Sequence, residues 1–292
     1  MTDRHRPADG GDQPPEIDID TTVADPARVH NFLAGGDGHF AVDREAVNQA
    51  ATILPGGLAT AQRAVRSIVN FQSRVIRYVA AEAGIRQFMK LGTAVPVVED
   101  VHEVALAAAP DARVVYVGND PLALAHAHSL RRVQPEGSTA YIHASLVDTE
   151  SVVRQASATL DFGRPVALLL PATLNFVPDD RDPYGIVARL VEAVPSGSYL
   201  ALTHTSHEIR SERMLEAAER FSKLLGPQYV VRPRDQIVRF FAGLDLVEPG
   251  LVQLDEWRPE WEANADAGDA ADDAAGAARR PAPIYGGVGR KP

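Results

Sequence analysis

Two short stretches hold the residues best placed to do chemistry, Ile85 to Pro96 (IRQFMKLGTAVP) and Ala112 to Pro121 (ARVVYVGNDP). Each is an apolar run that breaks into small, polar or turn-forming residues and then leads into a helical pattern. Strands of a nucleotide-binding α/β sheet end this way, with ligand loops at their carboxyl ends. The pair therefore points to a fold built around a nucleoside cofactor, yet it lacks the acidic side chains that usually hold one. A further candidate, His204, ends the apolar run in LALTHTSHE, where the mouth of a parallel sheet opens. An imidazole there suits removal of a proton from a substrate hydroxyl or amine. A lone histidine is more often structural, and both readings stand at this point. His126 and His128 are two apart on a helical stretch, so they point in different directions and form no metal pair. His102 falls on a crossover helix, where packing or capping is the default.

These residues need a scaffold, and the hydrophobic pattern supplies one. Apolar runs at 86–91, 113–117, 139–143, 165–170 and 198–203 read as strands. Helical stretches at 97–109, 121–132, 150–158 and 182–193 separate them. Alternation of this kind means βαβ units and a parallel sheet with helices on both faces. Residues 207–225 form a further helix, with Met214, Ala218, Phe221 and Leu225 on one stripe. Late strands are expected at Leu244–Val247 and Leu251–Leu254, around the turn Glu248-Pro249-Gly250. The sequence from 281 to 292 regains apolar character and is expected to return to the sheet as an edge strand.

Ahead of the first strand lies a helical cap over residues 25–84. It starts at Asp25-Pro26, an N-cap acid followed by a proline at the first helical position. A Gly-rich turn at Gly35, Gly36 and Gly38 follows, then a second helix entered at Asp43. Ala61, Val65, Ile68, Val75 and Val79 mark a long amphipathic helix over 58–81. Arg28, Asp43 and Arg44 read as a local ion-pair and capping set. The helices at 26–52 are expected to lie as a lid over the carboxyl edge of the sheet, shielding a reaction from water. Residues 1–24 are polar and rich in Pro, Gly and Asp, as in a disordered segment. Residues 85–261 make the sheet domain, and 262–280 an acidic, Ala-rich linker.

Bulk properties narrow the partners. The 292 residues are 45% hydrophobic, enough to bury one sizeable core. A formal charge of -10 argues against nucleic acid, whose phosphates require a basic face. No cysteine is present, which excludes disulfides, thiolate zinc sites and thiol nucleophiles. No apolar run approaches the roughly 18 residues of a membrane span. The first twenty residues lack the apolar segment of a signal peptide, which points to the cytoplasm. A small molecule is the expected partner, with no metal.

Neither G-x-G-x-x-G nor G-x-x-x-x-G-K-[ST] occurs, so a pyrophosphate-cradling loop is unsupported. The order of elements resembles instead the class I methyltransferase fold, a Rossmann-like, mostly parallel sheet with late antiparallel edge strands. A closer resemblance rests on RVHNFLAGGDGHFAVDREA, LGTAVP followed by DVHEVA, APDARVVYVGNDPLALAHA, RPVALLLPATLNFVPDD and the terminal YGGVGRKP. Together, over about residues 22–292, these look like an actinobacterial S-adenosylmethionine-dependent methyltransferase family long described as a domain of unknown function. The resemblance implies S-adenosylmethionine as cofactor and methylation of a small molecule, in specialised metabolism. No metal is needed, because the leaving group is already a sulfonium.

Carried over residue by residue, the resemblance implies that Gly92, Thr93 and Ala94 receive the cofactor's methionine portion. Asn119 and Asp120 would lie near its ribose, Ser145 near adenine and Asn175 at the fourth strand's exit. Several positions depart from the family pattern. Lys90 stands where an acid is usual, Ala94 where a second glycine is usual, and Gly118 replaces the ribose-binding acid. Ser145 and Asn175 replace an aspartate and a histidine. A ribose carboxylate makes hydrogen bonds worth roughly 1.5–3 kcal/mol each. Glu99 or Asp100 is placed to neutralise Lys90. The alternative reading is therefore a degenerate member of the family, with weakened cofactor binding and a non-methylating catalytic, binding or regulatory role.

Overall fold

Five strands of this chain make the parallel part of its sheet, and four of them are buried on both faces, as in a sheet covered on both sides. They are β1 (Gln87–Leu91), β2 (Arg113–Gly118), β3 (Thr139–His143), β4 (Ala167–Pro171) and β5 (Tyr199–Thr205). Three short or late strands complete the sheet: β6 (Asp245–Leu246), β7 (Val252–Gln253) and β8 (Ile284–Arg290). The computed structural model describes residues 19–54, 56–92, 100–119, 138–209, 211–225, 228–261 and 282–292. Strand order is β3-β2-β1-β4-β5-β8-β6, with β7 also pairing β8. The first five run parallel, so their carboxyl ends share one edge. Chain direction across the sheet reverses between β1 and β4, the switch point where such sheets bind ligands.

The helices are α1 (Pro26–Leu33), α2 (Ala41–Ala51), α3 (Gly57–Glu82), α4 (Val101–Ala108), α5 (Thr149–Ala156), α6 (Pro183–Glu192), α7 (Ser211–Leu225) and α8 (Arg234–Val238). On one face of the sheet, Phe71, Val75, Ile76 and Val79 of α3 pack with Val104 of α4 against Phe88, Val114 and Leu169. On the other, Val152 of α5, Ile186 and Leu190 of α6 and Ile237 of α8 pack against Met89, Val115 and Leu168. None of these helices is long and apolar enough to cross a membrane.

The long helix predicted over 58–81 belongs to two bodies at once. Its first turns (Ala61, Val65) join α1 and α2 in a separate apolar cluster, while its second half lies on the sheet. Buried Arg74 fixes that half, donating to the carbonyls of Trp257 at 2.9 Å and Leu254 at 2.6 Å. The expected boundary at residue 84 therefore cuts through the sheet's own packing. Within the cap, Arg28 and Asp43 form a buried ion pair at 3.1 Å. Asp43 also accepts from the N–H groups of Phe40 and Asp25, which locks α1 to the start of α2. Arg44 is exposed and adds nothing to that set.

One expectation needs correction. The last strand is not an edge: β8 pairs seven residues of β5 on one side and both β6 and β7 on the other. Glycine makes this interior position fit. A Cβ on Gly286 would lie 2.5 Å from Leu254 and 2.9 Å from Phe71, on one face of the sheet. A Cβ on Gly287 would lie 3.1 Å from Phe241, on the other. Bare backbone there lets aromatic rings close over both faces. The helical stretch predicted at 121–132, His126 and His128, and the linker at 262–280 lie outside the described residues. So does most of the segment expected to be disordered.

Candidate active site

At the switch point β1 ends in Gly92, whose φ of +79° is a backbone conformation that glycine adopts without penalty. Its N–H continues the parallel ladder to the Val117 carbonyl at 2.9 Å. Thr173, just past β4, closes over this turn: its Oγ1 donates to the Leu91 carbonyl at 2.7 Å. A Cβ on residue 92 would meet Thr173 Cγ2 at 2.3 Å. Two independent constraints thus select glycine here. Thr93 and Ala94 lie outside the described residues, as do Glu99 and Asp120.

Alternation along β1 turns Lys90 to the same face as Phe88, towards the start of α4. Asp100 is the N-cap of that helix, and its Oδ1 accepts from the Val101 N–H at 2.7 Å and from Lys90 Nζ at 2.8 Å. Both residues are buried, at 7% exposure for Lys90 and 1% for Asp100. The lysine in the usual place of an acid is therefore neutralised by the carboxylate that caps the next helix, ten residues on. Asp100 Oδ2 is buried and finds no hydrogen-bond partner among the described residues.

Three of the predicted cofactor residues line up along the carboxyl edge. Gly92 ends β1, Asn119 follows β2 and Ser145 follows β3, on adjacent strands. Asn119 is exposed, and its carbonyl lies 3.2 Å from His143 Nε2. Ser145 is also exposed, with its hydroxyl 3.4 Å from the Val147 N–H. Gly118 brings no side chain to this edge. Tyr116, one strand over from Lys90, belongs to the core. It is fully buried, stacked on Tyr141 at 4.6 Å, and its hydroxyl contacts the His102 N–H at 3.0 Å and Nδ1 at 2.7 Å.

Asn175 and His204 stand elsewhere, in a buried bracket at the ends of β4 and β5. Asn175 Nδ2 donates to the Val230 carbonyl at 2.7 Å, and its Oδ1 lies 3.4 Å from the Thr205 N–H. Arg232 donates from Nη1 to the Leu174 carbonyl at 3.0 Å and to His204 Nε2 at 2.8 Å. Because arginine only donates, Nε2 carries no proton, and the Nδ1 proton goes to the Thr205 carbonyl at 2.9 Å. Burial, with the nearby Arg232 charge, drives the His204 pKa down to about 3. The imidazole is neutral, fully buried and without a free nitrogen. Against the expectation of a catalytic base, its geometry is that of a structural crosslink. Arg232 carries no sequence signal that would have revealed this; it stands in an irregular stretch between helices.

Beside this bracket, a cavity of about 140 Å³ opens between the cap and the carboxyl ends of β4 and β5. Val29, His30 and Leu33 of α1 and Ile68 of α3 form part of its wall, and Met214 and Phe221 of α7 another part. Ala172 and Thr205 line it from the sheet. Its neighbour Thr173 is the residue packed on Gly92, so the cavity and the β1 turn adjoin. Burial, with the Lys90 charge next in weight, lowers the His30 pKa to about 4. His30 escaped sequence reasoning, although Val29 and Leu33 on the same short helix mark the face it shares. Among the described residues, no group of three or more His, Asp or Glu side chains is placed to hold a metal.

Known proteins share this arrangement over most of the chain. A DUF574 family protein from Streptomyces avermitilis is 36% identical, with a TM-score of 0.83, covering 94% of this chain and 100% of its own. A putative methyltransferase from Thermobifida fusca is 31% identical, with a TM-score of 0.79, covering 93% and 96%. No functionally curated protein matches. The family described as S-adenosyl methyltransferase matches residues 12–292. With its parallel sheet, its switch point at Gly92 and its antiparallel late strands, the chain has the class I methyltransferase fold and belongs to the S-adenosyl methyltransferase family.

Proposed function

We propose that the protein transfers the methyl group of S-adenosylmethionine to a small molecule seated in the cavity beneath the cap. The adjacency of Ala172 and Thr173 carries this reading. One lines the cavity, and the other packs on the Gly92 turn, so a donor at the turn and an acceptor in the cavity would face each other. Gly92, Asn119 and Ser145 would hold the cofactor along the ends of β1, β2 and β3. The residues fit a cationic ligand better than the sequence suggests. Asp100 cancels the Lys90 charge, and its second carboxylate oxygen is buried with no partner among the described residues, where an ammonium would satisfy it. The cofactor supplies an electrophilic methyl group on a sulfonium. The chain's own contribution is alignment of the acceptor and exclusion of water by the apolar wall.

Thermal unfolding with S-adenosylmethionine or S-adenosylhomocysteine tests the reading. A ligand at one hundred times its Kd stabilises by about 2.7 kcal/mol. No shift at millimolar concentration defeats it. One observation favours the degenerate alternative: Gly118 offers no carboxylate for the ribose hydroxyls. Under that alternative, Gly118→Asp strengthens cofactor binding by about tenfold or more. Lys90→Asp alone is a poor test, since it would set a second carboxylate against Asp100. It must be combined with Asp100→Asn.

A further inference from the structure

The cavity's lining is more informative than its size alone. Among the described residues, no Lys, Arg, Asp or Glu side chain faces it; its polar groups are His30, Thr60, Thr205 and Tyr229. Thr205 Oγ1 and Tyr229 Oη hydrogen-bond each other at 2.8 Å, so both are already engaged. A charged ligand would lose its hydration without gaining a counter-charge. A dry apolar cavity of about 150 Å³ is known to accept benzene, and this one is similar at about 140 Å³. Phe176 and Phe221 offer ring faces and edges to an aromatic guest. Among the described lining residues, that leaves His30 as the ionisable group placed to act on a ligand's polar atom.

We infer that the cavity takes an uncharged molecule of about one aromatic ring, and that His30 receives the proton of its hydroxyl or amine as that group is methylated. The inference rests on the methyl-transfer reading and names the acceptor class and the proton's destination. The acceptor oxygen or nitrogen forms a bond to the methyl carbon, and the carbon–sulfur bond breaks with its electron pair left on sulfur. The acceptor's proton passes to the His30 imidazole and then to solvent. A weak base suffices, because a hydroxyl that has taken the methyl group is a strongly acidic oxonium, and a ring-bound amine becomes an anilinium that gives up its proton at neutral pH. The low His30 pKa keeps the ring unprotonated and ready at neutral pH. Charges acting on it are Lys90 at the end of β1 and Asp100 at the start of α4, which oppose each other.

The test uses the full chain and ligand-detected NMR with phenol, indole, benzoate and benzylamine, in the presence of S-adenosylhomocysteine. Phenol and indole should bind at least tenfold more tightly than the two charged rings. Ala217→Leu or Ala61→Leu, each filling the cavity from a different helix, should abolish that binding while the S-adenosylhomocysteine thermal shift persists. Two variants guard against one that fails to fold. With S-adenosylmethionine, ring compounds that bind should release S-adenosylhomocysteine. His30→Gln should cut that release by about 10²-fold or more, with ring affinity changed less than threefold. Equal binding of charged rings, binding that survives both cavity-filling variants, or release unaffected by His30→Gln overturns the inference. A cofactor shift without ring binding overturns it alone. Ring binding without any cofactor shift overturns the methyl-transfer reading and, with it, the role of His30.

Discussion

Replacing Asp100 by Asn isolates the electrostatics that make Lys90 tolerable in the core. Asparagine caps a helix about as well as aspartate, so the start of α4 should survive. What is lost is the charge facing Lys90 Nζ at 2.8 Å. At an effective dielectric of about 20, that attraction is about 6 kcal/mol before desolvation is counted. Breaking one partner of a buried pair typically costs about 3–5 kcal/mol. At about 2 °C per kcal/mol for a chain of this size, Tm should fall by about 6–10 °C. Lys90→Met combined with Asp100→Asn removes both charges and should recover most of the loss, because an apolar replacement of a buried pair is often neutral. Urea unfolding at pH 7 of the wild type, both single variants and the double variant measures the cycle. A loss below about 1 kcal/mol for Asp100→Asn, as an exposed pair gives, refutes the argument. So does a double variant no more stable than the single.

Acid should expose the histidine bracket. His204 has a folded pKa near 3, against about 6.5 when unfolded, so its contribution to stability is complete above pH 6.5. It is lost as pH falls towards 3, because only the unfolded chain takes up the proton, at about 1.4 kcal/mol per pH unit. Unfolding curves at pH 7, 5.5 and 4 should show a slope shallower by about one proton in His204→Gln; equal slopes would contradict the burial argument. Gly92→Ala should destabilise by about 2–4 kcal/mol, from a positive φ and a Cβ 2.3 Å from Thr173. Chemical denaturation that places this variant within 0.5 kcal/mol of wild type, on the order expected for a tolerated surface change, would show that the turn relaxes freely.

Much of the architecture was legible because period and burial are written locally. Residues 139–143 and 113–117 read as strands from their apolar runs alone, and Asp25-Pro26 announced α1 through its cap. The glycine at 92 likewise declared a turn. The C-terminal strand was legible as a strand but not as an interior one. Its place depends on Phe71 and Phe241, from distant parts of the chain, closing over Gly286 and Gly287.

The site divides along the same line. Sequence determined which residue types stand at the strand ends, Lys90 and Gly118 among them, because those positions follow from the motif frame. It also offered Asp100 as one possible partner for Lys90. Only the folded chain decided that Asp100 is that partner, because the choice depends on where the first turn of α4 packs against β1. Only the fold turned His204 from a candidate base into a crosslink, since Arg232 reaches it from 28 residues away in an irregular segment. And only the fold brought His30, 60 residues before Lys90, to the wall of a cavity at the sheet's edge. Local sequence sets conformational preference; the charge, solvation and free valence of a side chain are set by neighbours that no spacing rule names.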